Sequence, residues 1–124
     1  MKLDVVKLTK EIVNFPSESL TSNVAVSQHS KSILENLGFK IESLPYTDVN
    51  GVEKLSIVAK LGKGQGGLSF MSHNDVVPAS KEDGWTGDPY HAWVSKNKVI
   101  GRGSADMKGP LAASICAVAR YKEK

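Results

Sequence analysis

A histidine and two aspartates are the side chains in this sequence whose types and spacing suggest chemistry. His73 and Asp75 occur in Ser-His-Asn-Asp-Val-Val-Pro, directly after a short apolar run. Asp106 occurs in Gly-Arg-Gly-Ser-Ala-Asp-Met-Lys-Gly, between a glycine-rich turn and an apolar helical pattern. Imidazole and carboxylate groups are common ligands of zinc. Together the two segments indicate about half of the site of a metal-dependent hydrolase.

The spacing of His73 and Asp75 favours a shared direction. On a strand, residues i and i+2 lie on the same face, and a carboxylate beside a metal-binding imidazole fixes the tautomer of the ring. The carboxyl ends of strands are also where ligands bind in open α/β sheets. The alternative is a hydrogen-bonded His–Asp pair that only caps a strand, and for an isolated His-x-Asp this is the commoner case. Asp106 alone would equally fit a helix N-terminus, where the macrodipole favours a negative charge.

Three helices are expected to position these side chains. Val5, Leu8, Ile12 and Phe15 recur at helical spacing until Pro16. Ser22 or Asn23 can cap a second helix, which Gly38 ends. The third helix begins near Met107, accepts Pro110 in its first turn, and carries an apolar stripe formed by Leu111, Ile115 and Val118. Part of this stripe is expected to be exposed.

The strands are expected to form hairpins and one buried element. Residues 39–46 and 53–61 read as two strands around Asn50-Gly51, a strong hairpin signal. A smaller hairpin is predicted in residues 93–100, in which two short strands flank a turn formed by Ser95–Lys98. The apolar run 68–71 predicts a strand that is buried on both faces. Because helices and strands alternate, the predicted class is α/β, with a mixed sheet and flanking helices.

Composition narrows the classes of function. The 124 residues are 40% hydrophobic and 23% charged, with a net charge of +3, which fits one soluble globular domain. Its lysines are scattered, so nucleic-acid binding is disfavoured, and no apolar stretch is long enough to span a membrane. The charges in the N-terminal segment do not fit a secretory signal. A cytoplasmic protein is therefore expected, with Cys116 as a small apolar residue on a helix.

Other chemistry-bearing residues have simpler explanations. His29 and His91 lack a partner at a recognisable ligand spacing and are expected at the surface or on a helix flank. Asp83 and Asp88 are attributed to turns containing Gly84 and Pro89. The segment 62–67 formally satisfies G-x-G-x-x-G, but the dinucleotide-binding form must follow a strand and open a helix. This segment precedes a predicted strand instead, so a nucleotide site is rejected.

The order of three motifs carries more information than any one of them. The motifs are, in order along the chain, Ser72–Pro78, then Trp85 with Asp88-Pro89-Tyr90, then Gly101–Gly109. In these three motifs and their order, the sequence resembles the first part of the M20 family of zinc peptidases and deacylases. The resemblance covers essentially all of residues 1–124, which would form the N-terminal part of an M20-type catalytic domain. The residues of these motifs are typical of acetylornithine deacetylases and succinyl-diaminopimelate desuccinylases, although dipeptidases and carboxypeptidases share the motifs.

The resemblance implies roles for the three residues. His73 would ligate one of two zinc ions, for which cobalt could substitute, and Asp106 would bridge both ions. Asp75, a catalytic-site carboxylate, would orient His73. The implied reaction is hydrolysis of the amide bond of a small N-acylated amino acid or short peptide by a metal-activated water. Ser72 departs from the glycine that is common in the family at that position, without an expected effect on ligation.

The family's remaining machinery is expected outside these residues. A Glu-Glu pair that supplies the general base, further ligands, and a smaller lid or dimerisation domain do not occur in the sequence, so a homodimer is an option only for a longer protein. The alternative function is an inactive fragment that at most binds metal weakly, because two protein ligands fall short of the three or four usual for zinc. Residues 1–124 alone are therefore predicted to release no amine from an N-acetyl amino acid.

Overall fold

The computed structural model describes residues 2–124, which contain three helices and four strands. The first helix, α1, covers Val5–Val13, and the second, α2, covers Val24–Asn36. A long hairpin follows, with β1 at Lys40–Thr47 and β2 at Glu53–Lys60. A short hairpin pairs β3, Trp93–Ser95, with β4, Lys98–Ile100, and α3 covers Gly109–Lys122. The predicted α/β class with flanking helices is confirmed. Instead of the predicted mixed sheet, the strands of residues 2–124 form two separate antiparallel hairpins.

The core lies where the three helices meet. Asp4 caps α1, since its carboxylate accepts a hydrogen bond from the backbone N–H of Lys7 at 2.8 Å. The apolar face of this helix packs on α3 and α2, so that Ile12 is completely buried. The buried cluster comprises Leu8, Ile12, Val26, Leu37, Ala112, Ile115, Cys116 and Ala119. The interpretation of Cys116 as a packed helical residue is therefore confirmed, and burial raises the pKa of its thiol.

The long hairpin follows the prediction closely. Strands β1 and β2 are antiparallel, with Lys40 opposite Lys60 and Thr47 opposite Glu53. The Asp48 carboxylate closes the turn by accepting the N–H groups of Asn50 at 2.8 Å and Val52 at 3.0 Å. The hydrogen bond from Val52 is the main reason that the pKa of Asp48 lies below its usual value. Gly51, with a φ of +78°, takes the left-handed conformation that the Asn-Gly signal requires.

The short hairpin is also confirmed, with a tighter turn than expected. Ser95 pairs with Lys98, which leaves only Lys96 and Asn97 in the turn. Both residues have positive φ angles, of 48° and 61°, as a two-residue turn of matching twist requires.

The predicted buried strand at residues 68–71 is wrong. The segment has no strand partner in the part of the chain that the structure describes, and Leu68 and Met71 are 82% and 89% exposed. An apolar run has the composition of a buried strand, but a strand also needs a neighbour to satisfy its backbone N–H and C=O groups. Within residues 2–124 the strands pair only inside the two hairpins, apart from one isolated parallel bridge between Glu18 and Val76.

The third helix differs from expectation in the position of its buried face. Ala112, Ile115, Cys116 and Ala119 are buried, whereas Leu111 and Val118 are only half-buried at the edges of this face. The small alanines allow α1 and α3 to approach closely. Pro110 lies in the first turn, as predicted. None of the helices in residues 2–124 is long and apolar enough to cross a bilayer.

The core predicts a large loss of stability for Ile12→Ala. Removing this fully buried side chain should lower the free energy of unfolding by about 2–5 kcal/mol, through lost apolar burial and the cavity that remains. Val6→Ala is the matched control on the same helix, because Val6 is 42% exposed; it should change stability by at most about 0.5 kcal/mol. Urea unfolding monitored by circular dichroism measures both, and equal losses would contradict the assignment of the core.

Candidate metal centre

The structure brings His73, Asp75 and Asp106 together at one surface. Nδ1 of His73 lies 3.0 Å from the backbone oxygen of Asp75 and 3.3 Å from its Oδ1. Nε2 of the same ring lies 3.0 Å from Oδ1 of Asp106. The ring therefore stands between two carboxylates. The contact between His73 and Asp75 agrees with the prediction that both point the same way, although the chain has no regular strand at this point.

The carboxylate oxygen of Asp75 that does not face His73 is contacted by the strap, a name used here for residues 17–21. The strap is part of the connection between α1 and α2. Ser19 Oγ lies 2.7 Å from Asp75 Oδ2 and donates a hydrogen bond to it. The backbone N–H of Ser19 donates to the carbonyl of Val76, and the N–H of Val76 donates to the carbonyl of Ser17, both at 2.9 Å. These are the two bonds of a parallel bridge. They fix the backbone directly after Asp75.

Asn74 secures the same segment from beneath. Its Nδ2 donates to Ser27 Oγ at 2.8 Å, and its Oδ1 accepts from Asn23 Nδ2 at 3.0 Å. Asn23 was expected to cap α2, but its side chain instead bonds Asn74 and both backbone polar groups of Leu55. The hydroxyl of Ser22 accepts from the first backbone N–H of the helix, that of Val24, at 3.2 Å. Of the two capping candidates, Ser22 thus bonds the start of the helix, whereas Asn23 holds Asn74 beside the candidate site.

Asp106 is presented by a sharp turn before α3. Gly103 has a φ of +82°, and a Cβ at this position would collide with Cγ1 of Val76. The turn thus approaches the Asp75 segment as closely as backbone permits, which explains the glycine. Asp106 and Met107 have non-helical backbone angles, and the peptide bond between them is cis. The Asp106 side chain is 88% exposed.

A completely buried lysine lies under the site. Lys108 is 0% exposed, and its Nζ donates to the carbonyl of Phe15 at 2.7 Å. Its backbone N–H donates to the carbonyl of Gly103 at 2.9 Å. Burial lowers its pKa to about 8, and the negative charge of Asp75 acts in the opposite direction. Lys108 therefore joins the turn of Asp106 to the end of α1 while it contributes positive charge near the carboxylates.

A second link connects the strap to the loop before β3. The hydroxyl of Tyr90 donates to Glu18 Oε1 at 2.5 Å. Burial, followed by the Glu18 carboxylate, raises the pKa of Tyr90 to about 12. The phenol therefore remains a donor at any physiological pH, and it fixes Glu18 beside Ser19.

Comparisons with known proteins find similar sequences among peptidases and deacylases. The sequence model of peptidase family M20/M25/M40 matches residues 69–124, which contain all three candidate residues. A succinyl-diaminopimelate desuccinylase of Ehrlichia canis is 36% identical over 120 residues, which are 97% of this chain and 31% of that protein. One of Rhodospirillum centenum is 34% identical over 125 residues, or 100% of this chain and 32% of that protein.

A solved structure gives the same result. Human carnosine dipeptidase 1 superposes on 96% of this chain and 28% of its own, with a TM-score of 0.79 and 31% sequence identity. The chain is therefore similar to M20-type hydrolases over nearly all of its length. It spans about a third of the length of the curated M20-family relatives it matches.

The donor types fit the metal that the M20 resemblance implies, but their number is small. A histidine nitrogen and a carboxylate oxygen facing each other at 3.0 Å are the N/O donors that zinc accepts, and an imidazole whose other nitrogen faces a carboxylate is typical of such sites. No group of three or more His, Cys, Asp or Glu side chains within residues 2–124 is arranged to hold a metal ion. These residues therefore supply donor types that zinc accepts, but fewer of them than a zinc site uses.

The residues set aside in the sequence have contact partners other than His73, Asp75 and Asp106. His29 packs on Phe15 with 5.2 Å between ring centroids, and His91 is exposed. Asp83 accepts from Arg102 Nη2 at 3.1 Å. In a separate turn, Asp88 accepts from the N–H of Tyr90 at 2.8 Å. The attribution of both aspartates to turns agrees with these contacts.

The contacts of the strap and the burial of Lys54 and Lys108 are not predicted by the sequence. Lys54 is 8% exposed, and its Nζ donates to the carbonyls of Ser19 at 2.8 Å and Thr21 at 2.5 Å. A lysine in an exposed-looking strand gives no signal of burial. The run of serines and threonines after Pro16 was a weak signal, because such residues in a connection often hydrogen-bond to nearby backbone.

The close approach of Gly103 to Val76 predicts an unusually costly glycine substitution. Gly103→Ala should reduce stability by about 1–3 kcal/mol more than Gly66→Ala, through the collision of the new methyl group with Val76. Gly66 is the matched control because its φ of +79° carries the same strain while nothing lies within 4 Å of its Cβ position. Chemical unfolding of both variants measures the difference. Similar losses would show that the turn does not depend on this contact.

Proposed function

We propose that this chain is the N-terminal part of the catalytic domain of an M20-type metal-dependent hydrolase. The observation that carries the proposal is the position of the His73 ring, with Nε2 at 3.0 Å from Asp106 Oδ1 and Nδ1 against Asp75. Two residues far apart in sequence thus present a nitrogen and an oxygen donor to one point, and a third orients the ring. A helix N-terminal aspartate or an isolated His–Asp pair would not require this convergence.

Three residues of the chain have distinct parts in the proposed site. His73 would hold zinc through Nε2, and Asp106 would hold it through its carboxylate, whose two oxygens suit a bridge between two ions. Asp75 would keep the proton of the imidazole on Nδ1, so that the lone pair of Nε2 remains available. Bound zinc supplies an activated water and polarises a carbonyl group. The general base and the remaining ligands would come from outside residues 2–124.

The proposed substrates are small N-acylated amino acids or short peptides. The relatives support this class, because two are named for removing a succinyl group from diaminopimelate and one for cleaving the dipeptide carnosine. The bond broken would be an amide in each case. The site also has room for a small substrate, since the His73 side chain is 49% exposed and that of Asp106 is 88% exposed.

A second candidate function is weak metal binding without turnover. The observation that favours it is the donor count, because residues 2–124 place two donors together where catalytic zinc sites use three protein ligands. The two candidates differ in one measurable respect. Purified chain mixed with zinc and an N-acetyl amino acid should release no amine if residues 1–124 supply only part of the site, whereas turnover that depends on His73 would indicate a complete one.

Metal binding itself tests the proposed donors. Zinc titrated into the chain and followed by calorimetry should show saturable binding that is lost in His73→Ala and in Asp106→Ala. Asp75→Asn should weaken binding by about 10–100-fold, the usual cost of losing the group that orients a ligating histidine.

His91→Ala is the matched control for zinc binding. This histidine is exposed and its backbone N–H donates to the carbonyl of Asp88 in a turn, so its loss should leave the affinity unchanged. Binding that survives His73→Ala but falls in His91→Ala would contradict the proposed centre and indicate adventitious binding to a surface histidine.

A further inference from the structure

The strap places a hydroxyl where it controls the carboxylate that orients His73. Ser19 Oγ lies 2.7 Å from Asp75 Oδ2 and 3.2 Å from the carbonyl of Val76. A hydroxyl has one proton to donate, and the shorter distance and the charge of the acceptor favour the carboxylate. The Oδ1 atom of the same carboxylate faces His73 at 3.3 Å. Ser19 and His73 therefore contact opposite oxygens of one side chain.

The hydroxyl of Ser19 is itself held in place from several directions. Its backbone N–H takes part in the bridge to Val76, and its carbonyl accepts from the buried Nζ of Lys54 at 2.8 Å. Two residues earlier, Ser17 is 3% exposed and donates to the carbonyl of Asn74 at 2.6 Å. The strap is thus fixed on both sides of Ser19. A donor on a fixed backbone can hold its acceptor in one rotamer, which a donor on a mobile loop cannot do.

Two carboxylates compete for the proton of a neutral His73 ring. Asp75 faces Nδ1 with its backbone oxygen at 3.0 Å and its Oδ1 at 3.3 Å, and Asp106 faces Nε2 at 3.0 Å. A neutral imidazole carries a proton on only one nitrogen. The Asp75 side chain is 43% exposed and that of Asp106 is 88% exposed, so the contact with Asp75 is the better shielded. Any group that keeps Asp75 in place favours the tautomer protonated at Nδ1. That tautomer leaves the Nε2 lone pair free for a ligand.

The geometry points to Ser19 as a positioning residue, which fixes the rotamer of Asp75 and through it the tautomer of His73. Its consequence for metal binding rests on the proposed function. Its effect on the ring does not, because both contacts exist in the metal-free chain. Ser19 acts through Asp75 and touches neither proposed metal ligand.

The test is the tautomer of His73 in the metal-free chain, from long-range proton–nitrogen NMR spectra at an alkaline pH where the ring is neutral. In Ser19→Ala the Nδ1 resonance should move toward the unprotonated position and the Nε2 resonance toward the protonated one. Couplings that report the χ1 angle of Asp75 should change from a single rotamer to an average. Ser19→Thr, which keeps the hydroxyl, should restore both signals. His29 and His91 serve as internal references in the same spectra.

Thr21→Ala is the matched control in the strap. Its hydroxyl donates to the carbonyl of Glu18 at 2.8 Å and does not contact Asp75, and both Thr21 and Ser19 are exposed. It should leave the signals of His73 and Asp75 unchanged. If Ser19→Ala leaves them unchanged too, or if Thr21→Ala shifts them as much, the positioning role is overturned.

A zinc titration of the same variants separates this role from the proposed function. Ser19→Ala should weaken zinc binding by less than Asp75→Asn does, and Ser19→Thr should bind as the unaltered chain does. If the tautomer changes as expected but no variant binds zinc at His73, the proposed function fails and the role of Ser19 stands. If zinc binds at His73 but the tautomer is indifferent to Ser19, the positioning role fails and the proposed function stands.

Discussion

The parallel bridge between Glu18 and Val76 is the constraint on which the candidate site depends. It consists of two backbone hydrogen bonds, each 2.9 Å long, between segments that are more than fifty residues apart in sequence. Backbone amides buried at such a junction must be paired, so the register between the two segments is fixed. Asp75 lies within that register, between the donors of the strap and the ring of His73. Gly103 then packs against Val76 and brings Asp106 to the same place.

Two buried lysines make this arrangement compatible with a small core. A buried amine is costly unless it is hydrogen-bonded, and both lysines donate to backbone carbonyls of the connection after α1. Lys54 takes those of Ser19 and Thr21, and Lys108 takes that of Phe15. The connection has no regular secondary structure that would satisfy these carbonyls internally. The lysines thus supply the donors that a neighbouring strand or a helix would otherwise give to these carbonyls. Lys54 comes from the long hairpin, and Lys108 comes from the segment that directly follows Asp106.

The apolar run directly before the histidine motif is exposed to solvent. Leu68, Phe70 and Met71, directly before the histidine motif, are 82%, 59% and 89% exposed, whereas apolar residues in such runs are usually packed. The side chains of the candidate donors His73 and Asp106 are 49% and 88% exposed. M20-family relatives are about three times as long as this chain. In this chain the exposed apolar run directly precedes the half-exposed ring of His73.

The sequence alone was sufficient for the helices, both hairpins and the similarity to M20-type hydrolases, and it singled out three side chains that the structure brings together. Local signals determine these features: apolar periodicity, Asn50-Gly51, and the glycines around Asp106. It was wrong about residues 68–71, because burial depends on a neighbour that no local pattern reveals. It also missed the strap, Lys54 and Lys108. Their roles come from contacts between distant segments, such as Ser19 with Asp75, and only the tertiary structure decides which backbone groups lack a local partner and which side chains reach them.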